Sequence, residues 1–217
     1  MFLLLVACSD PNTAFRVAQV EAAPPVKDYA AVLAELEADR VRMAAEGTSV
    51  DEARSRVLTA LREDIWPAWY GTPWDFYGTT QTPREGHIAC GYFVSTTLED
   101  AGFRVERVTL AQQASKRIVQ TFSPHETTTW GRDVDEVIDR LEPGLNLVGL
   151  DYHVAFLDVR DEGVFMCHSS VLEPVAVVCE PASTAEALES NVHVTGPVLT
   201  DAVMQRWLDG EAIPTAP

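Results

Sequence analysis

A cysteine and two histidines, far apart along the chain, are the residues with the clearest chemical potential. Cys90 opens a helical pattern that ends at Gly102, and His153 and His168 lie in apolar, strand-like segments. The first N–H groups of a helix favour an anion, so they lower the pKa of a thiol, as a nearby imidazolium does. Gly91 leaves room for a carbonyl group to approach the same N–H groups, as in an oxyanion hole. The pattern predicts nucleophilic catalysis by Cys90 with a histidine base.

The two histidines are predicted to be neighbours on one face of an antiparallel hairpin. A two-residue turn at 160–161 gives a register in which His153 lies directly opposite His168. Opposed residues have Cβ atoms about 4.5 to 5.5 Å apart, so one ring could orient the other and leave a nitrogen free for the thiol. A slip of two residues would keep both rings on one face, whereas a one-residue bulge would separate them.

Each of these residues also has an ordinary structural interpretation. A cysteine in a helix is usually a small core residue, and a histidine in a strand is usually a hydrogen-bonded structural group. A zinc site is a further hypothesis, built from His87, Cys90, Cys167 and His168. Their spacing fits no compact zinc motif, so the sequence predicts neither a metal nor another cofactor.

The elements that would position these residues are helices first and strands afterwards, which indicates an α+β fold. Two amphipathic helices joined at Gly47, the second with a capping box at Ser49 and Glu52, predict a helical hairpin over residues 28–65. An aromatic stretch at 66–77 supplies either core residues or a groove wall. Helical patterns follow at 90–102, 110–122 and 133–141, and strands are predicted at 103–108, 145–150, 152–159, 164–169 and 174–179.

The start of the chain predicts export and a lipid anchor. An apolar run ends at Cys8, and the segment Leu5-Val6-Ala7-Cys8 resembles a bacterial lipobox, whose cysteine receives lipid after cleavage. Residues 9–27 have the composition of an extended tether. A buried or frayed N-terminal segment is the alternative interpretation. No other stretch reaches the roughly 18 to 20 apolar residues of a membrane span.

Charge and cysteine content narrow the possible partners. The 33 acidic residues exceed the 16 basic ones and give a net charge of -17, which disfavours nucleic acid and anionic lipid surfaces. With Cys8 lipidated, an odd number of cysteines remains, so at least one thiol is unpaired. Cys167 and Cys179 flank a turn at 172–174 and could be bridged, which would leave Cys90 free.

Around these residues the chain resembles the NlpC-type cysteine peptidases, bacterial enzymes that cut peptidoglycan stem peptides. The resemblance covers residues 66–170. The matching segments are Tyr77-Gly78-Thr79, Cys90-Gly91-Tyr92-Phe93-Val94, Pro143-Gly144, His153-Val154-Ala155-Phe156-Leu157 and Cys167-His168-Ser169-Ser170. It implies a papain-like fold, with a nucleophile-bearing helix packed on a small antiparallel sheet.

The resemblance also implies roles for single residues. Cys90 would be the nucleophile, His153 the base and His168 the residue that orients it, with Gly91 and Tyr77 as oxyanion or groove candidates. The implied substrate is a peptidoglycan peptide. With the lipobox, this describes a lipid-anchored cysteine amidohydrolase of the cell envelope.

The implied organisation has three parts: a lipoprotein signal and tether at 1–27, the helical hairpin at 28–65, and a papain-like hydrolase domain at 66–217. The family usually has Asp before and Ser after its cysteine, whereas Ala89 and Gly91 stand there in this chain. That difference favours the alternative hypothesis, a catalytically inactive binding or scaffolding lipoprotein of the same fold.

Overall fold

The computed structural model describes residues 28–216. Its α-helices are α1 Tyr29–Glu46, α2 Val50–Ala60, α3 Trp66–Trp69, α4 Cys90–Asp100, α5 Arg107–Ala111, α6 Ser115–Phe122, α7 Val134–Ile138 and α8 Asp201–Asp209. Its strands are β1 Arg104–Val105, β2 Thr127–Trp130, β3 Gly144–Gly149, β4 Val154–Arg160, β5 Gly163–Ser169, β6 Val177–Pro181, β7 Val192–Pro197 and β8 Ala212–Ile213. The predicted lipobox cysteine, Cys8, and the tether at 9–27 lie outside the described residues.

The first helices begin and end at the predicted signals. Gly47 adopts a left-handed conformation at the end of α1, with φ of 68°, which glycine accommodates at no steric cost. Ser49 and Glu52 form the capping box of α2, each side chain accepting a backbone N–H of the other residue. A π-helical segment, Leu61–Ile65, continues α2 into α3. The two predicted helices of the hairpin are therefore confirmed.

Strands β2 to β7 form one antiparallel sheet in the order β2-β7-β3-β4-β5-β6, and β1 pairs in parallel with β8. Helices and an antiparallel sheet together make the fold α+β, as predicted. In the described part of the chain, no helix is both long and apolar enough to cross a bilayer.

The main core lies between α4 and one face of the sheet. Phe156 of β4 packs against Trp66 and Phe93, with ring centroids 5.2 and 6.1 Å apart respectively. Leu36 of α1 and Val57 of α2 belong to the same buried cluster. The N-terminal hairpin therefore shares its core with the sheet and with the helix that begins at Cys90.

The opposite face of the sheet is buried as well. Ala155, Leu157 and Met166 pack there against Val137 of α7 and Leu188, which follows β6. Since side chains alternate between the two faces along a strand, consecutive residues of β4 serve different cores. This two-sided burial fixes the strand register, because a slip of one residue would exchange the two faces.

A buried ion pair ties the π-helical segment to β4. The carboxylate of Asp158 is fully buried and accepts hydrogen bonds from Arg62 Nε at 2.8 Å and Arg62 Nη2 at 2.6 Å. Arg160 Nε donates to the same carboxylate at 2.6 Å. Removing one partner of such a buried pair leaves an uncompensated charge, so this contact anchors β4 firmly.

Several elements differ from the sequence-based prediction. The strand predicted at 103–108 is only β1, because Arg107 begins α5, where its guanidinium donates to Thr96 Oγ1 at 2.8 Å. The helical pattern at 110–122 is divided between α5 and α6. Strands β2 and β7 and helix α8 were not predicted. Within the aromatic stretch, Trp66 and Trp69 are core residues as one interpretation predicts, whereas Phe76 and Tyr77 are exposed.

Candidate active site

The N-terminus of α4 lies at the end of the sheet where β4 and β5 separate. The ladder between these strands begins with the pair Phe156 and Cys167, so Val154 lies two residues beyond its end. Ser169, the last residue of β5, donates from Oγ to the carbonyl oxygen of Ile88 at 2.7 Å. That buried hydrogen bond holds the segment before Cys90 against the end of β5.

Backbone N–H groups contact the sulfur of Cys90, which is half-buried. Burial raises the pKa of the Cys90 thiol, and hydrogen bonds from the N–H groups of Val154, Gly91 and Cys90 itself lower it by less. The expectation of a lowered pKa is therefore wrong, although the helix N–H groups lie where it placed them. The thiol is protonated at neutral pH. Cys90 is the one free cysteine among residues 28–216.

His153 and His168 are joined by a hydrogen bond. Nε2 of His153 lies 2.8 Å from Nδ1 of His168, and the two ring planes meet at 75°. Burial and, to a lesser extent, the electrostatic influence of the neighbouring His168 lower the pKa of His153 from 6.5 to about 3. His153 is therefore neutral at physiological pH, the form in which one ring nitrogen can accept a proton.

His153 directly precedes Val154, whose N–H contacts the Cys90 sulfur. It follows a two-residue turn that is closed by the hydrogen bond from Leu150 N to His153 O, 2.8 Å long. Between the described residues no hydrogen bond joins the sulfur to the imidazole. The structure thus brings Cys90 to the start of β4 and His168 to His153, and the Val154 N–H is the contact that connects the two groups.

The register of the hairpin differs from the predicted one by two residues. Arg160 pairs with Gly163, so the two-residue turn is at 161–162 rather than 160–161. The prediction that His153 lies directly opposite His168 is therefore wrong. A slip of two residues keeps both side chains on one face, so the rings meet diagonally across the hairpin.

A glutamate that the sequence did not single out continues this row of polar side chains. Glu180 of β6 lies with Oε1 3.1 Å from Nε2 of His168. Met166 pairs with Glu180 and His168 with Val178, which puts Glu180 diagonal to His168 on the same face. The position of Glu180 beside His168 depends on the pairing of β6 with β5, which the spacing of residues along the chain does not predict.

Cys167 and Cys179 form a disulfide between directly paired positions of β5 and β6. The bridge that the sequence left open is therefore confirmed. It joins the chain neighbours of His168 and Glu180. It also removes Cys167 from the hypothetical zinc site, and no cluster of metal-binding side chains occurs among residues 28–216.

Gly91 has a packing reason to be glycine. A Cβ atom built there would lie 2.3 Å from the carbonyl oxygen of Ala111, at the end of α5. The missing side chain therefore lets α5 approach the first turn of α4, while the Gly91 N–H points to the Cys90 sulfur. The sequence-based interpretation considered only the approach of a substrate carbonyl.

Tyr77 lies on the exposed loop before α4, with 84% of its surface accessible. The N–H of Ala89 donates to the carbonyl oxygen of Gly78 at 2.9 Å, and Arg107 Nη2 donates to that of Thr79 at 2.7 Å. These bonds hold the loop beside the first turn of α4. The hydroxyl of Tyr77 has no partner in the described part of the chain.

An open cavity of about 260 Å³ borders His153. Its lining mixes acidic, basic and amide side chains with one aromatic ring, and includes Arg132, Asp151, Tyr152, Glu189 and Asn191. Tyr152 is fully exposed.

Comparison with protein-family models, with curated proteins and with solved structures returned no match to this chain.

Proposed function

We propose that the protein is a cysteine amidohydrolase in which Cys90 is the nucleophile, His153 the base and His168 the residue that orients it. The observation that carries this proposal is the position of a free thiol at the first turn of α4, against the N–H that follows His153. Because Nε2 of His153 is engaged by His168, Nδ1 is the nitrogen left to serve the thiol. A cysteine-bearing helix packed on an antiparallel sheet that carries the histidines also supports a papain-like arrangement.

In the resting site the Cys90 thiol and the His153 imidazole are both neutral, rather than a thiolate and an imidazolium. The Cys90 proton would therefore move to Nδ1 of His153 as the sulfur attacks the amide carbonyl and the S–C bond forms. The hydrogen bond between a nucleophile and its base is often long in an empty active site and shortens when substrate binds. The N–H groups of Cys90, Gly91 and Val154 are the nearest donors for the developing oxyanion.

The second half of the reaction returns the site to its first state. The imidazolium of His153 gives its proton to the leaving amine as the C–N bond breaks, which leaves a thioester on Cys90. Water then loses a proton to His153 and attacks the thioester. The acid is released, and the thiol regains its proton.

We propose that the substrate is a peptidoglycan stem peptide and that the protein is lipid-anchored in the cell envelope. The substrate rests on the motif resemblance over residues 66–170, and the anchor on the lipobox at Cys8. The disulfide between Cys167 and Cys179 supports an exported location, because such bonds form and persist in oxidising compartments.

The test is incubation of the purified protein with muropeptides, followed by separation of the products. Wild type should release a new amino group, and Cys90→Ala and His153→Ala should each lose at least about 1,000-fold in kcat. His125→Ala is the matched control, since His125 is an exposed histidine remote in sequence from the site, and it should keep full activity. Equal turnover by wild type and Cys90→Ala would reject the proposal.

The second candidate function is a binding or scaffolding lipoprotein of the same fold. The raised pKa of the Cys90 thiol favours it, as do Ala89 and Gly91 in place of the usual Asp and Ser. This candidate predicts that wild type binds muropeptides without cleaving them and that Cys90→Ala binds equally well. Turnover that depends on Cys90 would eliminate it.

A further inference from the structure

We infer that Glu180 is a positioning residue that fixes the proton positions of both histidines, so that Nδ1 of His153 is the nitrogen without hydrogen. The inference rests on the proposed function, because it describes how the base would be kept ready for Cys90. The side chains of His153, His168 and Glu180 form a row joined by contacts of 2.8 and 3.1 Å.

The ring of His168 is fully buried. A carboxylate can only accept hydrogen bonds, so Nε2 of His168, 3.1 Å from Glu180 Oε1, must carry the hydrogen. A neutral imidazole has one donor nitrogen and one acceptor nitrogen. Nδ1 of His168 is therefore an acceptor.

The hydrogen position on His168 determines that on His153. Its Nε2 lies 2.8 Å from Nδ1 of His168, and since that nitrogen accepts, Nε2 of His153 donates. His153 is neutral, so its Nδ1 holds a lone pair. Without the carboxylate, the reversed arrangement would satisfy the bond between the rings equally well. It would leave a hydrogen on Nδ1 of His153, and that nitrogen could not accept the proton of Cys90.

The position of Glu180 suits this task. The side chain is 30% exposed, whereas that of His168 is fully buried, so the carboxylate keeps contact with water while one oxygen reaches the ring. That contact reduces the desolvation penalty of a buried charge. The disulfide at the preceding residue, Cys179, and the pairing of Glu180 with Met166 hold the strand in register.

The test is ¹⁵N NMR of the histidine side chains at pH 7, which reports which ring nitrogen carries hydrogen. Wild type should show hydrogen on Nε2 and none on Nδ1 for both His153 and His168. Glu180→Ala should give a mixture of the two arrangements. Glu180→Lys supplies a donor in place of the acceptor and should favour the reversed one. The backbone spectrum of each variant shows whether it is folded.

The control is Glu186→Ala, which removes an exposed glutamate six residues further along the chain and should leave both rings unchanged. In turnover assays Glu180→Ala should lose at least about tenfold in kcat with little change in KM, because a base held in the wrong tautomer fails in the chemical step. The inference would be overturned if both folded Glu180 variants kept the ring hydrogens on the same nitrogens as wild type. The NMR result needs no substrate, so it stands apart from a failure of the proposed hydrolysis.

Discussion

At the scale of single residues, burial determines the charge state of the Cys90 and His153 pair. Burial disfavours the Cys90 thiolate more than the hydrogen bonds from three N–H donors favour it, so the pKa of the thiol is raised. The imidazole loses its proton for the same reason. In the proposed mechanism the thiol therefore stays protonated until substrate binds, in contrast to a site that stores a thiolate.

The raised pKa of Cys90 predicts slow alkylation at low pH. In a Cys8→Ser background, where Cys90 is the remaining free thiol, the rate with iodoacetamide should rise with a midpoint above the ordinary thiol pKa of 9.0. At pH 6 the rate should lie below that of a small thiol, because less thiolate is present. Denatured protein is the control and should titrate near the ordinary value. A midpoint near pH 6 would contradict the burial of the thiol.

At the scale of elements, the approach of α5 to α4 depends on Gly91. Gly91→Ala should lower the free energy of unfolding by about 1 to 3 kcal/mol, the usual cost of overpacking, because the new Cβ would collide with the carbonyl of Ala111. Urea denaturation measures this change. Glu99→Ala, on the exposed side of α4, controls for helix propensity and should change stability by less than about 0.5 kcal/mol. Equal stability of Gly91→Ala and wild type would show that α5 moves away without cost.

Elements with local signals were predictable from the sequence, and those that depend on distant partners were not. The capping box at Ser49 and the glycine at 47 fix α1 and α2 within a few residues. The residues of the turn between β4 and β5 are compatible with two strand registers. Burial of both faces of the sheet selects the observed register. Strand β7 lies between β2 and β3, a place that no neighbour in sequence indicates.

The candidate site divides in the same way. Cys90 was recognisable at the start of an amphipathic helix, and His153 and His168 in apolar strands. Glu180 was not recognisable, because its contact with His168 exists only through the pairing of β6 with β5. The pKa of Cys90 was predicted in the wrong direction, since the depth of a residue below the surface is a property of the assembled fold.

At the scale of the whole molecule, a buried polar group links the N-terminal hairpin to the end of α4. The hydroxyl of Tyr29 donates to the carboxylate of Asp100 and accepts from Trp69 Nε1 at 2.9 Å. Burial, only partly offset by the hydrogen bond from Tyr29, raises the pKa of Asp100 from 3.8 to about 6. The folded protein therefore binds a proton at Asp100 that the unfolded chain releases at lower pH.

This linkage predicts a loss of stability with rising pH. The contribution of Asp100 is complete below the unfolded pKa, about pH 4, and is lost as pH rises through about 6. Because Asp100 is partly exposed, the loss should be about 1 to 2 kcal/mol. Urea denaturation of wild type and Asp100→Asn from pH 4 to 7 measures it as the difference between the two curves. Parallel curves would show that Asp100 titrates normally.

The disulfide between β5 and β6 has a practical consequence for anyone who assays this protein. Dithiothreitol, the customary protectant of a cysteine enzyme, would keep Cys90 reduced and would also attack the bond between Cys167 and Cys179. That bond joins the neighbours of His168 and Glu180, so its opening loosens the strands that hold them. Buffers without strong reductant, with metal chelation to slow oxidation of Cys90, preserve both sulfur states at once.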